Sequence, residues 1–357
     1  MSPSSISYKN FELLDGKKTH FWKNLSTQDK QDIALYKKLY LKHWPLLLKN
    51  SSSASKIPKV IHYIWLGPKE FPETSIAYVQ SCIQNHPGWV VKFWTDRADR
   101  ALPCPKMEKH LISELSLPSI GEFLDKTDNY GEKSDLLRYE ILMQEGGIYF
   151  DHDIECYHSF DPLVSSVDFF AGLEPPHRNT GIETRIFPCN AVIGAKPSHP
   201  IIAKSLQYVQ SRWNEVEKIF PGGDAKSQTH RVFLRTFHSF SLGTKEAIGL
   251  EGNVDILLPA SFFYPDRITT KESFELWRSK GLIWTSHKCL GAWRPEEAPN
   301  PLEEQLEIVK KEKKELKRKL SQTKIFLYSN FAVTLVAGLF ILQNRKKKRA
   351  FFGGKDL

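Results

Sequence analysis

Two aspartates, Asp151 and Asp153, end the apolar run of GGIYFDHDI (residues 146–154). Like charges one residue apart repel unless something holds them. In extended backbone, residues i and i+2 point to the same side. The spacing therefore predicts two converging carboxylates with His152 turned away. At the carboxyl end of a buried strand in an α/β sheet, such a spot opens into the ligand crevice. Converging carboxylates there suit a hard divalent cation, Mn2+ or Mg2+. An acidic loop after a strand would carry the same three residues. A second pair stands upstream: Asp135 and Arg138 share one face of an expected helix, SDLLRYEILMQE (134–145), as a surface ion pair also would. Gly146 and Gly147 lead this helix straight into the acidic stretch, and a short connection makes the two elements neighbours. Spacing that is too tight and lacks a second clear pair argues against a zinc site from His152, Cys156 and His158.

The elements that must hold these residues follow from pattern. KVIHYIWLG (59–67) reads as a strand closed by Gly67-Pro68, and VVKFWTD (90–96) as a second. IYFDHDI, VDFFAGLE, NAVIGA, VDILLP and GLIWTS supply further strands, and residues 199–220 a long helix. Strands alternating with helices predict an α/β fold with a mostly parallel central sheet. Residues 1–55 read as a helical accessory region and linker. Ser26 and Asp29 make a capping signal, helical spacing runs to Leu41, Pro45 ends the helix, and the serines of 51–55 form the linker.

Composition bounds the rest. The apolar fraction of 41% and charged fraction of 25% are ordinary globular values, and 22 Phe with nine Trp allow a large core. The net charge of +9 sits mostly at the end: residues 301–357 hold 14 Lys/Arg against 6 Asp/Glu. A nearly neutral body with no basic stripe argues against nucleic-acid binding. Five scattered cysteines without a CxxC pair suit a reduced, cytosol-facing domain, and the start of the chain has no apolar secretory region. Residues 301–324 follow heptad spacing with Glu/Lys pairs four apart, a stalk helix or short coiled coil through which copies could self-associate. Residues 325–342 are uncharged; eighteen residues at 1.5 Å rise span about 27 Å, enough for a bilayer core. The expected layout is 1–55 accessory, 56–300 catalytic, 301–324 stalk, 325–342 a single-pass C-terminal membrane helix and 343–357 a basic tail. A buried terminal helix is the alternative for 325–342.

KSDLLRYEIL followed by GGIYFDHDI resembles the signature of the DXD-containing sugar transferases, the family of Golgi α-mannosyltransferases, glycolipid galactosyltransferases and bacterial polysaccharide sugar transferases, with the large glucosylating toxins as distant relatives. IPKVIHYIWLG, KFWTD, NAVIGA and the segment from His287 to Gly291-Ala292-Trp293 resemble the family's other elements in the same order, over roughly 57–294. The resemblance implies a GT-A-like, single Rossmann-type catalytic domain. It implies that Trp65 stacks on a nucleotide base held by the Ile64 backbone, and that Asp135 and Arg138 grip sugar hydroxyls and phosphate. Asp151 would contact ribose or metal, Asp153 would bind the metal directly, and His287 would complete the metal shell or touch the diphosphate. Asn190 and Trp293 would sit at the reacting sugar and the leaving phosphate. Implied with these are Mn2+ or Mg2+, a UDP- or GDP-hexose donor, retention of anomeric configuration, and a glycan, glycolipid or protein acceptor. The sequence departs from the family at 220–224, where FPGGD replaces the usual Gly-Pro on the acceptor side. A toxin-like transferase acting on a host protein, and a catalytically silent membrane scaffold, remain the rival readings.

Overall fold

The computed structural model describes residues 6–23, 25–49, 54–176 and 184–292, all within one compact unit spanning Met1–Glu296. The stalk, membrane-helix and basic-tail expectations, and Trp293, lie outside the described residues. Among the described residues, no helix is long and apolar enough to cross a membrane.

The helices that matter for the site are α1 (Thr27–Leu47), α2 (Glu73–Asn85), α3 (Tyr130–Glu145) and α4 (Pro200–Ile219). The strands are β1 (Val60–Ile64), β2 (Val90–Thr95), β3 (Glu108–Leu111), β4 (Gly147–Phe150), β5 (Ile154–Cys156), β6 (Phe169–Leu173), β7 (Pro188–Ala195), β8 (Asp255–Leu258) and β9 (Thr285–His287). Seven form one sheet in the order β3-β2-β1-β4-β7-β6-β8; β5 and β9 make a separate two-stranded sheet. Pairing is parallel except where β7 runs antiparallel to both neighbours, β4 and β6. The mixed α/β sheet, mostly parallel, is as expected. Its central strands β4 and β7 are buried at every residue, so they read as continuous apolar runs rather than alternating ones.

Four expectations are corrected. The strand expected over IYFDHDI stops at Phe150, residues 151–153 turn, and the chain resumes as β5 in the other sheet. Pro45 does not end its helix; α1 runs on to Leu47, because its last turn is held by the burial of Trp44 and Leu47, which outweighs one lost backbone donor so near the end. The strand expected at GLIWTS forms only from Thr285. The region 1–55 also shares the core of the sheet: Tyr36, Tyr40 and Trp44 are buried, and His43 Nδ1 bonds the Asp255 carbonyl of β8 at 2.8 Å.

The glycine pair is required by geometry. Gly146 caps α3 at φ 65°, and Gly147 has φ 94°; a Cβ on Gly147 would lie 2.7 Å from the Val60 carbonyl oxygen and 2.9 Å from His62 Nε2. Buried His62 ties this turn down, with Nε2 2.8 Å from the Gly146 carbonyl while Trp94 Nε1 donates to Nδ1 at 3.2 Å. Burial pushes His62 down to about 4, so it stays neutral and can serve both neighbours at once.

Candidate active site

The acidic turn follows β4 at the point where the chain leaves the main sheet. Asp151 N donates to the Ala191 carbonyl of β7 (2.9 Å), and Asp153 O accepts from Lys288 N (3.0 Å). The ladder of β5 with β9 pairs Ile154 with His287, which sets the imidazole beside the second aspartate. Asp151, Asp153 and His287 each present a ligand atom, all within 4.8 Å of one another. His287 Nε2 is 3.2 Å from Asp153 Oδ1 and 3.9 Å from Asp151 Oδ2. The remaining oxygens are occupied: Asp153 Oδ2 accepts from Leu290 N (2.7 Å), and Asp151 Oδ1 from the Tyr149 hydroxyl (2.8 Å). The carboxylates thus converge as the spacing predicts, but through a turn rather than through strand alternation. Burial resists ionisation of Asp153, yet the facing His287 outweighs it and holds the carboxyl well below the usual range. Burial likewise resists protonation of His287; Cys289 and then Asp153 reverse that and push it up. Two carboxylate oxygens and one imidazole nitrogen, each oriented by its own hydrogen bonds or strand pairing, fit a divalent cation.

His152 is turned away from this group. Its Nδ1 bonds Ser75 Oγ of α2 at 2.8 Å, and its ring meets Trp65 edge-on at 5.0 Å. Half-buried Trp65 is braced by Nε1 donating to the Lys69 carbonyl (2.8 Å) and by Phe71, while its backbone N–H continues from β1 to the Trp94 carbonyl at 3.0 Å. Ile64 is the buried last residue of β1.

Arg138 joins the two predicted pairs. Only 4% exposed, it reaches Asp135 Oδ1 at 2.6 Å and Asp151 Oδ1 at 3.2 Å through Nη2, donates through Nη1 to the Asn190 carbonyl at 2.6 Å, and stacks on the Tyr149 ring at 4.1 Å. Burial opposes its charge, but Asp135, Tyr149 and Asp151 reverse this and hold it protonated. Asp135 is pushed up by burial, with Arg138 and Thr236 opposing. Asn190, at the start of β7, sends its carbonyl to Arg138 and its Nδ2 to the Tyr139 hydroxyl (3.0 Å). Asp135, Arg138, Asn190, Asp151, Asp153 and His287 therefore form one connected constellation, with Trp65 linked through His152. Sequence reasoning missed Tyr149, Tyr139 and Thr236. Tyr149 was legible, since it stands two residues before Asp151. Thr236, which hydrogen-bonds Asp135, is about a hundred residues away and carries no local signal.

Comparison with known proteins adds likenesses over part of the chain. Residues 72–170 match the family described as glycosyltransferase sugar-binding region containing DXD motif. Over those residues the chain is similar to that sugar-binding region. Inositol phosphoceramide mannosyltransferase 3 of Schizosaccharomyces pombe is 31% identical over 155 residues, 43% of this chain and 37% of that protein. Subversion of eukaryotic traffic protein A of Legionella pneumophila is 27% identical over 199 residues, 51% of this chain and 28% of that protein. The match to the first of these spans little more than a third of the relative's length. Among solved structures, PaToxG glycosyltransferase aligns at TM-score 0.44 and 19% identity, covering 77% of this chain and 94% of that one. Galactosyltransferase LgtC, solved with donor and acceptor sugar analogs, aligns at 0.36 and 13%, covering 66% and 88%. The matched DXD region holds Asp135, Arg138, Asp151 and Asp153; Asn190 and His287 lie beyond it.

Proposed function

We propose that the protein is a divalent-metal-dependent glycosyltransferase that moves a hexose from a UDP- or GDP-sugar to a hydroxyl of a glycan or glycolipid. The observation that carries this reading is the meeting of Asp151 Oδ2, Asp153 Oδ1 and His287 Nε2 beside the Arg138 guanidinium. Asp151, Asp153 and His287 would hold a divalent cation, which would supply electrostatic stabilisation of the diphosphate. Arg138, fixed by Asp135, Asp151 and the Asn190 carbonyl, offers a preoriented positive charge to the departing diphosphate. Asp135 orients the sugar hydroxyls, and Trp65 presents a ring to the base. Retention of anomeric configuration rests on family resemblance. Mannose stands first among the candidate hexoses because relatives are named as mannosyltransferases. The uncharged run 325–342 is the proposed attachment to the membrane that presents the acceptor.

The experiment is a panel of UDP- and GDP-sugars incubated with Mn2+, scored for release of free sugar without acceptor. Turnover of one donor, abolished by chelation, is expected. Inactivity across the panel, with no nucleotide bound, would leave the silent scaffold as the reading.

A further inference from the structure

Residues 225–247 run as one helical rod broken in its middle. Ala225–Val232 and His238–Ala247 are α-helical, while Phe233–Phe237 form a π turn. Single π turns inside α-helices widen the ring by a residue and recur at functional sites. Here the turn sends two successive side chains, Arg235 (2% exposed) and Thr236 (0%), onto α3. Arg235 Nη1 lies 3.5 Å from Glu132 Oε1, its Nη2 pairs with Glu217, and the guanidinium stacks 4.0 Å over Trp213. The Thr236 hydroxyl hydrogen-bonds Asp135 Oδ2. Glu132 and Asp135 are three apart on α3, on one helical face. The Thr236 carbonyl accepts from the Tyr139 hydroxyl (3.2 Å), which in turn accepts from Asn190 Nδ2 (3.0 Å). One turn of helix therefore reaches both Asp135 and Asn190.

We propose that the π turn Phe233–Phe237 is the device that sets the sugar-facing side of the site, with Thr236 as the positioning residue for the Asp135 carboxylate; the inference rests on the glycosyltransferase reading. The Thr236 hydroxyl has one proton and two acceptors in reach, Asp135 Oδ2 and the Val232 carbonyl at 2.7 Å. A charged acceptor makes the stronger bond, so ionised Asp135 draws the proton and is fixed in orientation. With Oδ1 held by Arg138 and Oδ2 by Thr236, the carboxylate is fixed in orientation. A residue that only filled space would need no hydroxyl.

The test compares Thr236→Val, which keeps shape and removes the donor, with Thr236→Ser, which keeps the donor. Two readouts are taken with Mn2+: hydrolysis of the donor that wild type turns over, and calorimetric affinity for that nucleotide sugar and for its nucleoside diphosphate. Loss of one hydrogen bond to a charged group predicts a fall of roughly 10- to 100-fold in kcat/KM for Thr236→Val, with Thr236→Ser within about three-fold of wild type. Diphosphate affinity should stay level while the nucleotide sugar loses its binding advantage over it. Wild-type kinetics in Thr236→Val, equal loss in both variants, or an equal fall in diphosphate affinity would each overturn the proposal. If Thr236→Val does not fold, Thr236→Ala against Thr236→Ser gives the same comparison. Wild type that neither binds nor hydrolyses any nucleotide sugar would instead sink the glycosyltransferase reading.

Discussion

Arg138→Lys is the sharpest perturbation of this site. The charge is kept and the fork is lost. Arg138 makes contacts at 2.6, 3.2 and 2.6 Å to Asp135, Asp151 and the Asn190 carbonyl, and stacks on Tyr149. An ammonium on a flexible stem can serve one of the carboxylates well, not both with the carbonyl, and it has no planar face. Two charge-assisted hydrogen bonds lost at roughly 1.5–3 kcal/mol each bound the cost at about 3–6 kcal/mol. Repositioning of the ammonium recovers part of that, so about 3 kcal/mol is expected. At 4% exposure there is little solvent screening to reduce it. The assay is urea unfolding of the full chain in EDTA, read by far-UV circular dichroism, alongside thermal melting. A shift of about 3 kcal/mol corresponds to roughly 6–12 °C in Tm for a unit of this size. Donor turnover should fall by at least about 100-fold, the scale of losing a preoriented electrostatic partner. A variant within about 0.5 kcal/mol of wild type, below the scale of a lost charge-assisted bond, would refute the idea that Arg138 is the hub of the constellation.

Three further outcomes are expected. Asp153→Asn should abolish the rise in Tm that Mn2+ gives wild type and cut donor hydrolysis by at least about 100-fold, with the protein still folded; full activity would remove its metal role. Trp65→Ala should weaken nucleoside-diphosphate binding by about 1–3 kcal/mol, the scale of a base–aromatic stack, with kcat nearly unchanged; unaltered affinity in calorimetry would make it a core residue. Asp153 is held below its ordinary value, so its contribution to folding is present above about pH 4 and is lost as the pH falls. Unfolding in EDTA from pH 6 to pH 3 should therefore show a destabilisation on acidification, limited to about 1.4 kcal/mol per pH unit for one carboxyl, that Asp153→Asn diminishes. Equal slopes would mean that the pairing with His287 does not form.

The parts of the fold legible in the sequence are those where local pattern and burial agree. β1 and β2 are bounded by turn residues and mostly buried, and α3 ends on a glycine that its positive φ requires. The long helix 199–220 is legible for the same reason, with His199 capping it through a bond from Ile201 N to Nδ1. The DXD turn was misread as strand because Ile154 and Cys156 continue the apolar rhythm, although they belong to a different sheet. β3 went unseen because EKHL is polar and lies at the sheet edge, with no buried residue to mark it. Residues 225–247 went unseen because a π turn breaks the 3.6-residue period on which a helix is recognised. Of the site, the acidic pair and the Asp135–Arg138 pair were readable from spacing. Their linkage through Arg138, Tyr149 and Thr236 was not, since it depends on tertiary approach.

The aspartates and His287 come from stretches of chain more than a hundred residues apart, brought together by three backbone pairings of β5 with β9. An ion captured by all three would act as a fastener between the middle of the polypeptide and its far edge. A nascent chain would own both aspartates long before it owned the imidazole, so metal capture would wait until the final strand of the sheet pair had emerged and docked. A protease nick between residues 280 and 285 would then free the edge, and added Mn2+ would resist that loss.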